Sequence, residues 1–161
     1  MLEGKNILIA GAGVSGVGAA RLLGRAGYPA TIYDGNKELD TEAVKAQMPE
    51  GMKLSFALGE YTDSLAEQYD MLILSPGISV NSPVARSFYD RGKTVWGEIE
   101  LAAHFAKGRI AAITGTNGKT TTTALVGSIL KNWYDSVFVV GNIGIPFTSV
   151  ALDTRPDSVI A

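Results

Sequence analysis

The chain has 161 residues, a formal net charge of −2, 46% hydrophobic and 19% charged residues, and no cysteine. The near-neutral charge argues against a nucleic-acid-binding surface, and the lack of cysteine excludes disulfides, thiolate catalysis and thiolate metal sites. No apolar run approaches the roughly 20 residues that span a bilayer, and the N-terminus lacks a signal-peptide pattern, so we expect a cytoplasmic protein without membrane insertion.

The first part of the chain alternates between predicted strands and helices. Short connections between such elements favour a parallel α/β sheet with helices on both faces. The predicted strands cover residues 5–10, 30–33, 71–74 and 94–96, and the predicted helices cover residues 17–25, 40–47, 62–68 and 83–91.

A glycine-rich loop lies between the first strand and the first helix. It reads Gly11-Ala-Gly-Val-Ser-Gly16, and Asp34 closes the second strand. The glycines let the backbone approach a phosphate at the helix N-terminus. The ligand could be a dinucleotide such as NAD, with Asp34 on its ribose, or another nucleotide such as a sugar nucleotide. A tight turn without ligand, capped by Asp34, is the third interpretation.

Two further turns follow predicted strands, at the edge where open α/β sheets bind ligands. Ser75-Pro-Gly-Ile78 on its own favours a simple Pro-Gly turn. In Gly141-Asn-Ile-Gly144, Asn142 is more often a turn residue than a residue that contacts a ligand.

The pattern of strands and helices then restarts. A helix is predicted over residues 98–107, strands over 110–114 and 136–140, and the start of another strand over 157–161. We therefore predict two domains, residues 1–96 and residues 97–161. We expect the second domain to be incomplete in this chain, because few elements follow its first loop to cover a sheet.

Residues 114–120 form a second glycine loop, which we call the phosphate loop, between an apolar strand and a helix that runs to about residue 131. It reads Thr-Gly-Thr-Asn-Gly-Lys-Thr, with Ile113 where the general phosphate-loop pattern has glycine. Backbone N–H groups and the helix dipole would face a triphosphate, Lys119 would reach its terminal phosphates, and Thr120 would offer a hydroxyl to Mg²⁺. The pattern indicates ATP or GTP binding, and the alternative is a turn that binds nothing.

Together these motifs resemble the Mur ligase family. The resemblance rests on the first glycine loop, Ser75-Pro-Gly-Ile78, Gly97-Glu-Ile-Glu100, the phosphate loop and Gly141-Asn-Ile-Gly144, in this order. It extends over the whole chain, and it is most specific for the branch that adds D-glutamate to UDP-N-acetylmuramoyl-L-alanine. It implies a Rossmann-like parallel-sheet N-terminal domain that holds the UDP-sugar, followed by the start of a P-loop-type α/β ATPase domain.

The resemblance also implies the chemistry and the site residues. ATP, with Mg²⁺, would phosphorylate the substrate carboxylate, and D-glutamate would attack the acyl phosphate to form an amide. The implied catalytic residues are Lys119 and Thr120, with Thr120 on Mg²⁺. The implied ATP contacts are Gly115, Thr116, Asn117, Gly118, Lys119, Thr120 and Thr121. The implied substrate contacts are Val14, Ser15, Asp34, Gly35, Asn36, Gly77 and Asn142.

Two further expectations and two competing hypotheses follow from the sequence. We expect this chain alone not to complete the ligase reaction, since family residues that hold Mg²⁺ and D-glutamate would lie beyond Ala161. We expect the full-length enzyme to be a monomer. The competing hypotheses are an NAD(P)-dependent oxidoreductase, which leaves the Lys119 loop unexplained, and a nucleotide-binding module without catalysis.

Overall fold

The computed structural model describes residues 1–141 and 144–161, which divide into two units, Met1–Leu101 and Ala102–Ala161. Within these described ranges, no helix is both long and apolar enough to cross a lipid bilayer. Each unit has its own parallel sheet.

The first unit is built on a five-stranded parallel sheet. Its strand order, β3-β2-β1-β4-β5, is that of the first five strands of a Rossmann fold. The central strands β1 and β4 are apolar and buried at every position, as strands covered on both faces must be. The predicted parallel α/β sheet is thereby confirmed. The strands are β1 (Ile7–Ala10), β2 (Ala30–Asp34), β3 (Leu54–Leu58), β4 (Met71–Leu74) and β5 (Thr94–Gly97).

Helices connect these strands and bury their apolar sides on the sheet. Leu8 of β1 and Leu72 of β4 form a buried cluster with Phe88, which lies on α4. The first helix, α1, buries Leu22 and Leu23. The helices are α1 (Val14–Arg25), α2 (Thr41–Lys45), α3 (Asp63–Glu67), α4 (Pro83–Asp90) and α5 (Glu98–Phe105), of which α5 spans the division between the units.

The second unit has a smaller parallel sheet in the order β6-β8-β7. Helix α6 lies close to the chain that follows β7, since a Cβ on Gly127 would come within 2.3 Å of Val139 Cγ2. The elements are β6 (Arg109–Ile110), α6 (Lys119–Leu130), β7 (Val137–Phe138), α7 (Phe147–Val150) and β8 (Val159–Ile160), with a 3₁₀ turn at Ala151–Asp153.

The structure differs from the sequence-based elements in several places. Strand β7 covers Val137–Phe138, and is shorter than the predicted 136–140. Strand β8 covers Val159–Ile160 of the predicted 157–161. Strand β3 was not predicted: it is a short run of five residues at the edge of the sheet, where it pairs with β2. Strand β6 is shorter than the predicted 110–114, since its partner β8 pairs with it only at Val159 and Ile160. Helix α7 was also not predicted, because a single turn of four residues carries no helical periodicity.

Candidate active site: a nucleotide cleft and a phosphate loop

A cleft of about 490 Å³ lies at the edge of the first sheet where the parallel strands end. It lies where β1 and β4 are neighbours, the point at which the strand order reverses. Ligands of open α/β sheets bind at this point, because the loops that leave the two strands diverge there. The described residues that line it are Gly11, Gly13, Val14, Ser15, Tyr33, Asp34, Gly35, Ser75, Pro76, Gly77 and Ile78.

The Asp34 carboxylate ties together two loops that border the cleft. Its Oδ2 accepts the backbone N–H of Ala12 at 2.7 Å, and its Oδ1 accepts that of Asn36 at 2.9 Å. The N–H of Gly11 also donates to the carbonyl of Tyr33, at 2.7 Å. Asp34 therefore holds the first glycine loop in place, and each carboxylate oxygen keeps a further lone pair for a ligand.

The first glycine loop depends on the absence of a side chain at two positions. A Cβ on Gly16 would lie 1.8 Å from the carbonyl oxygen of Gly11, so only glycine permits this close approach. Gly11 has a φ of +92°, which other residues rarely adopt, and a Cβ there would lie 3.1 Å from Cδ1 of Ile78. The absence of these two side chains therefore lets the loop lie close to itself and to the residues that follow β4.

The N-terminus of α1 borders the cleft through Gly13, Val14 and Ser15. Gly13 caps the helix without a side-chain hydrogen bond, and the first turn carries no acidic residue. The first N–H groups of a helix have no partner within it, and together with the helix dipole they favour an anion. This part of the cleft therefore suits a phosphate group.

Besides Ser15, two hydroxyl-bearing residues, Ser75 and Tyr33, line the same cleft. Ser75 Oγ is buried and has no hydrogen-bond partner among the described residues, a state that costs about 1–3 kcal/mol when the group stays unpaired. Tyr33 packs edge-on against Tyr61, with ring centroids 5.6 Å apart. Burial, followed by the charge of Asp34, raises the pKa of the Tyr33 phenol, which favours the neutral form that can donate a hydrogen bond.

The phosphate loop, in the second unit, is exposed and is held by local contacts. Gly118 is the N-cap of α6 and has a φ of +77°, the left-handed conformation that favours glycine. Lys119 Nζ donates to the carbonyls of Gly115 at 2.5 Å and Thr116 at 3.2 Å. The lysine ammonium thus lies against its own loop, at the N-terminus of a twelve-residue helix whose first turn has no acidic side chain.

The hydrogen-bond donors of this loop fit a phosphate group, whereas the loop offers few ligands for a metal ion. Thr120, in the first turn of α6, is exposed and offers one hydroxyl oxygen. Across residues 1–141 and 144–161, no group of three or more His, Cys, Asp or Glu side chains could hold a metal ion. A Mg²⁺ ion here would use Thr120 with phosphate oxygens and water, a coordination that Mg²⁺ commonly adopts beside nucleotides.

The structure brings most of the sequence-predicted substrate residues together. Val14, Ser15, Asp34, Gly35 and Gly77 line the cleft. The N–H of Asn36 donates to Asp34, whereas Asn142 lies outside the described residues.

The sequence argument missed two groups at the cleft. It did not single out Tyr33, and it considered Ser75 only as part of a turn. No pattern in the sequence shows that a serine after a strand will be buried without a partner.

Comparison with known proteins identifies the family. Residues 5–97 match the model of the Mur ligase MurD-like N-terminal domain, and residues 113–159 match that of the Mur ligase middle domain. The first match alone covers more than half of the chain. The chain belongs to the Mur ligase family. The first match includes the whole five-stranded sheet and the residues of the cleft, and the second includes the phosphate loop.

Curated relatives agree with this assignment over nearly the whole chain. A UDP-N-acetylmuramoylalanine–D-glutamate ligase of Lachnospira eligens is 45% identical over 98% of this Mur ligase chain. A protein of the same name from Lachnoclostridium phytofermentans is 44% identical over 97% of it. The chain spans 35% and 34% of the length of these two relatives, about a third in each case.

Solved structures of Mur ligases share the fold. A pseudomurein peptide ligase type C from Methanothermus fervidus aligns with a TM-score of 0.53 and 26% identity, over 98% of this chain and 32% of that one. A murein peptide ligase from Psychrobacter arcticus aligns with a TM-score of 0.52 and 19% identity, over 98% of this chain and 37% of that one. At that identity, the second likeness concerns the fold alone.

Proposed function

We propose that this chain supplies the substrate-binding unit and the phosphate loop of an ATP-dependent ligase in peptidoglycan precursor synthesis. The ligase would join D-glutamate to UDP-N-acetylmuramoyl-L-alanine. The observation that carries the proposal is the coexistence of the cleft and the Lys119 loop in one chain that is 45% identical to a ligase of that name.

The first unit would bind the UDP-sugar, with the diphosphate at the N-terminus of α1. Asp34 supports this placement because it fixes the glycine loop and keeps free lone pairs beside the cleft. The proposed substrate contacts are Val14, Ser15, Asp34, Gly35, Asn36, Gly77 and Asn142. The corresponding domains would be residues 1–96 for the UDP-sugar and residues 97–161 for ATP.

The second unit would bind ATP through residues 115–121. Lys119 would leave its loop carbonyls for the terminal phosphates, where its charge stabilises the phosphoryl group during transfer. Bound Mg²⁺, held by Thr120 and the phosphates, would neutralise the charge that develops on the phosphate oxygens.

The overall reaction would proceed in two steps. The alanyl carboxylate of the UDP-sugar attacks the γ-phosphorus of ATP, so that ADP leaves and an acyl phosphate forms. The amine of D-glutamate then attacks the acyl carbon, loses a proton and expels inorganic phosphate to give the amide. The phosphoryl step depends mainly on positioning and charge, which are the properties that the phosphate loop supplies.

The competing functions have less support. An NAD(P)-dependent oxidoreductase would account for the first glycine loop but not for Lys119, and the two curated relatives reported above are named as ligases. A nucleotide-binding module without catalysis would account for both loops but not for those names. We further propose that the protein acts in the cytoplasm and that the full-length enzyme is a monomer.

A chimeric enzyme tests this function. This chain would replace the matching part of the Lachnospira eligens relative, and labelled D-glutamate incorporation into UDP-N-acetylmuramoyl-L-alanine would be followed. We expect ATP- and Mg²⁺-dependent amide formation that is lost in Lys119→Ala and kept in Lys131→Ala, which changes the exposed lysine at the C-cap of the same helix. A cooperatively folded chimera that forms no amide, while the unmodified relative does, would refute the proposal.

A further inference from the structure

We propose that Ser75 is a ligand-binding residue whose hydroxyl donates a hydrogen bond to a phosphate oxygen of the nucleotide diphosphate in the cleft. This inference rests on the proposed function, since it assigns one more contact to the same UDP-sugar. It concerns a side chain for which the fold itself provides no partner.

The backbone of Ser75 is already used by the fold. Its N–H donates to the carbonyl of Ala10 at 3.3 Å, and its carbonyl accepts the N–H of Ile78 at 2.9 Å. The side-chain hydroxyl remains, with no hydrogen-bond partner among the described residues, although Ser75 is only 9% exposed. Buried polar groups are almost always paired, so an unpaired one at a cleft wall indicates a partner that arrives from the cleft.

The position of the hydroxyl indicates which part of a ligand it meets. Ser75 Oγ lies 3.2 Å from where a Cβ of Gly11 would be and 3.1 Å from where a Cβ of Gly16 would be. It therefore lies against the glycine loop, beside the N-terminus of α1. Helix N–H groups and a hydroxyl donor together match an anion, and the diphosphate is the anionic part of the UDP moiety.

Ser87 provides a matched control in the same unit. It is also a buried serine, but its hydroxyl donates to the carbonyl of Val84 at 3.0 Å and contacts the Tyr61 hydroxyl. Ser87 does not line the cleft, so removing its hydroxyl would destabilise the fold without removing a side chain that a ligand in the cleft could contact. Removing the Ser75 hydroxyl would leave no native partner unpaired, so the unliganded protein would keep its stability.

The test is calorimetric titration of this chain and its variants with UDP, together with denaturant unfolding without ligand. We expect Ser75→Ala to lower UDP affinity about tenfold at unchanged stability, and Ser75→Cys, which keeps a side-chain donor but a weaker one, to fall in between. Ser87→Ala would lower stability and leave UDP affinity unchanged.

The outcomes separate this inference from the proposed function. If the unsubstituted chain does not bind UDP, the UDP-sugar function fails and the inference fails with it. If it binds UDP and Ser75→Ala binds equally well, only the inference fails. An equal loss of UDP affinity in Ser75→Ala and Ser87→Ala would show a general effect on the fold, which also refutes the inference.

Discussion

The two glycine loops of this chain precede helices of the same length but are held in different ways. The loop at residues 11–16 is fixed by hydrogen bonds that reach far along the sequence, from Ala12 to Asp34 and from Gly11 to Tyr33. The bonds of the phosphate loop join residues three or four apart, as from Lys119 to Thr116 and Gly115. The first loop is therefore preorganised by its domain, whereas the second would be ordered further by the anion that it binds.

The comparison predicts that glycine substitutions have unequal effects in the two loops. In Gly16→Ala the new Cβ would overlap the carbonyl of Gly11, and we expect a loss of about 3 kcal/mol in the free energy of unfolding. In Gly118→Ala nothing lies within 4 Å of the new Cβ, and the left-handed backbone alone would cost about 1–2 kcal/mol. Denaturant unfolding monitored by circular dichroism measures both values, and equal losses would contradict the comparison.

The next largest loss of stability is expected when the Asp34 carboxylate is removed. Asp34→Ala removes the acceptor of two backbone N–H groups, and we expect about 2 kcal/mol less stability together with weaker binding of a uridine nucleotide. Asp34→Asn, which keeps one carbonyl oxygen as acceptor, would lose less. If Asp34→Ala unfolds at the denaturant concentration of the unsubstituted chain, the carboxylate does not hold the loop.

We expect Lys119 to contribute to ligand affinity and little to stability, because its side chain is exposed and its contacts are local. We expect Lys119→Ala to change stability by less than about 0.5 kcal/mol and to lower the affinity for Mg²⁺-ATP about tenfold. Lys131→Ala is the matched control and would keep both properties. If the Mg²⁺-ATP affinity of Lys119→Ala is unchanged, the phosphate loop does not bind the nucleotide as proposed.

The smallest predicted effect concerns the cleft at alkaline pH. Burial and the charge of Asp34 raise the pKa of Tyr33, so folding favours the neutral phenol. The resulting stability is present below the ordinary tyrosine pKa of about 10 and is lost as the pH rises through the higher pKa of the folded state. Phenolate absorbance would show a late-titrating tyrosine that is missing in Tyr33→Phe. If Tyr33→Phe instead removes a phenol that titrates earlier than the other tyrosines, the raised pKa is wrongly assigned to Tyr33.

The parallel α/β fold could be predicted from the sequence, because the apolar strands β1 and β4 and the glycine loop at residues 11–16 carry local signals. The edge strand β3 could not be predicted, since its pairing with β2 depends on residues far away in the chain. The same holds for the cleft. The motif indicated Asp34, but the N–H of Ala12 that it binds and the unpaired Ser75 hydroxyl arise only when separate loops meet.

Calorimetric titration of this chain with UDP-N-acetylmuramoyl-L-alanine, with NADH as the comparison ligand, shows which nucleotide the first glycine loop binds. We expect saturable binding of the sugar nucleotide, weakened by substitution of Ser15 or Asp34, and no binding of NADH. Binding of NADH without binding of the sugar nucleotide would contradict this expectation, because the first glycine loop would then serve a dinucleotide.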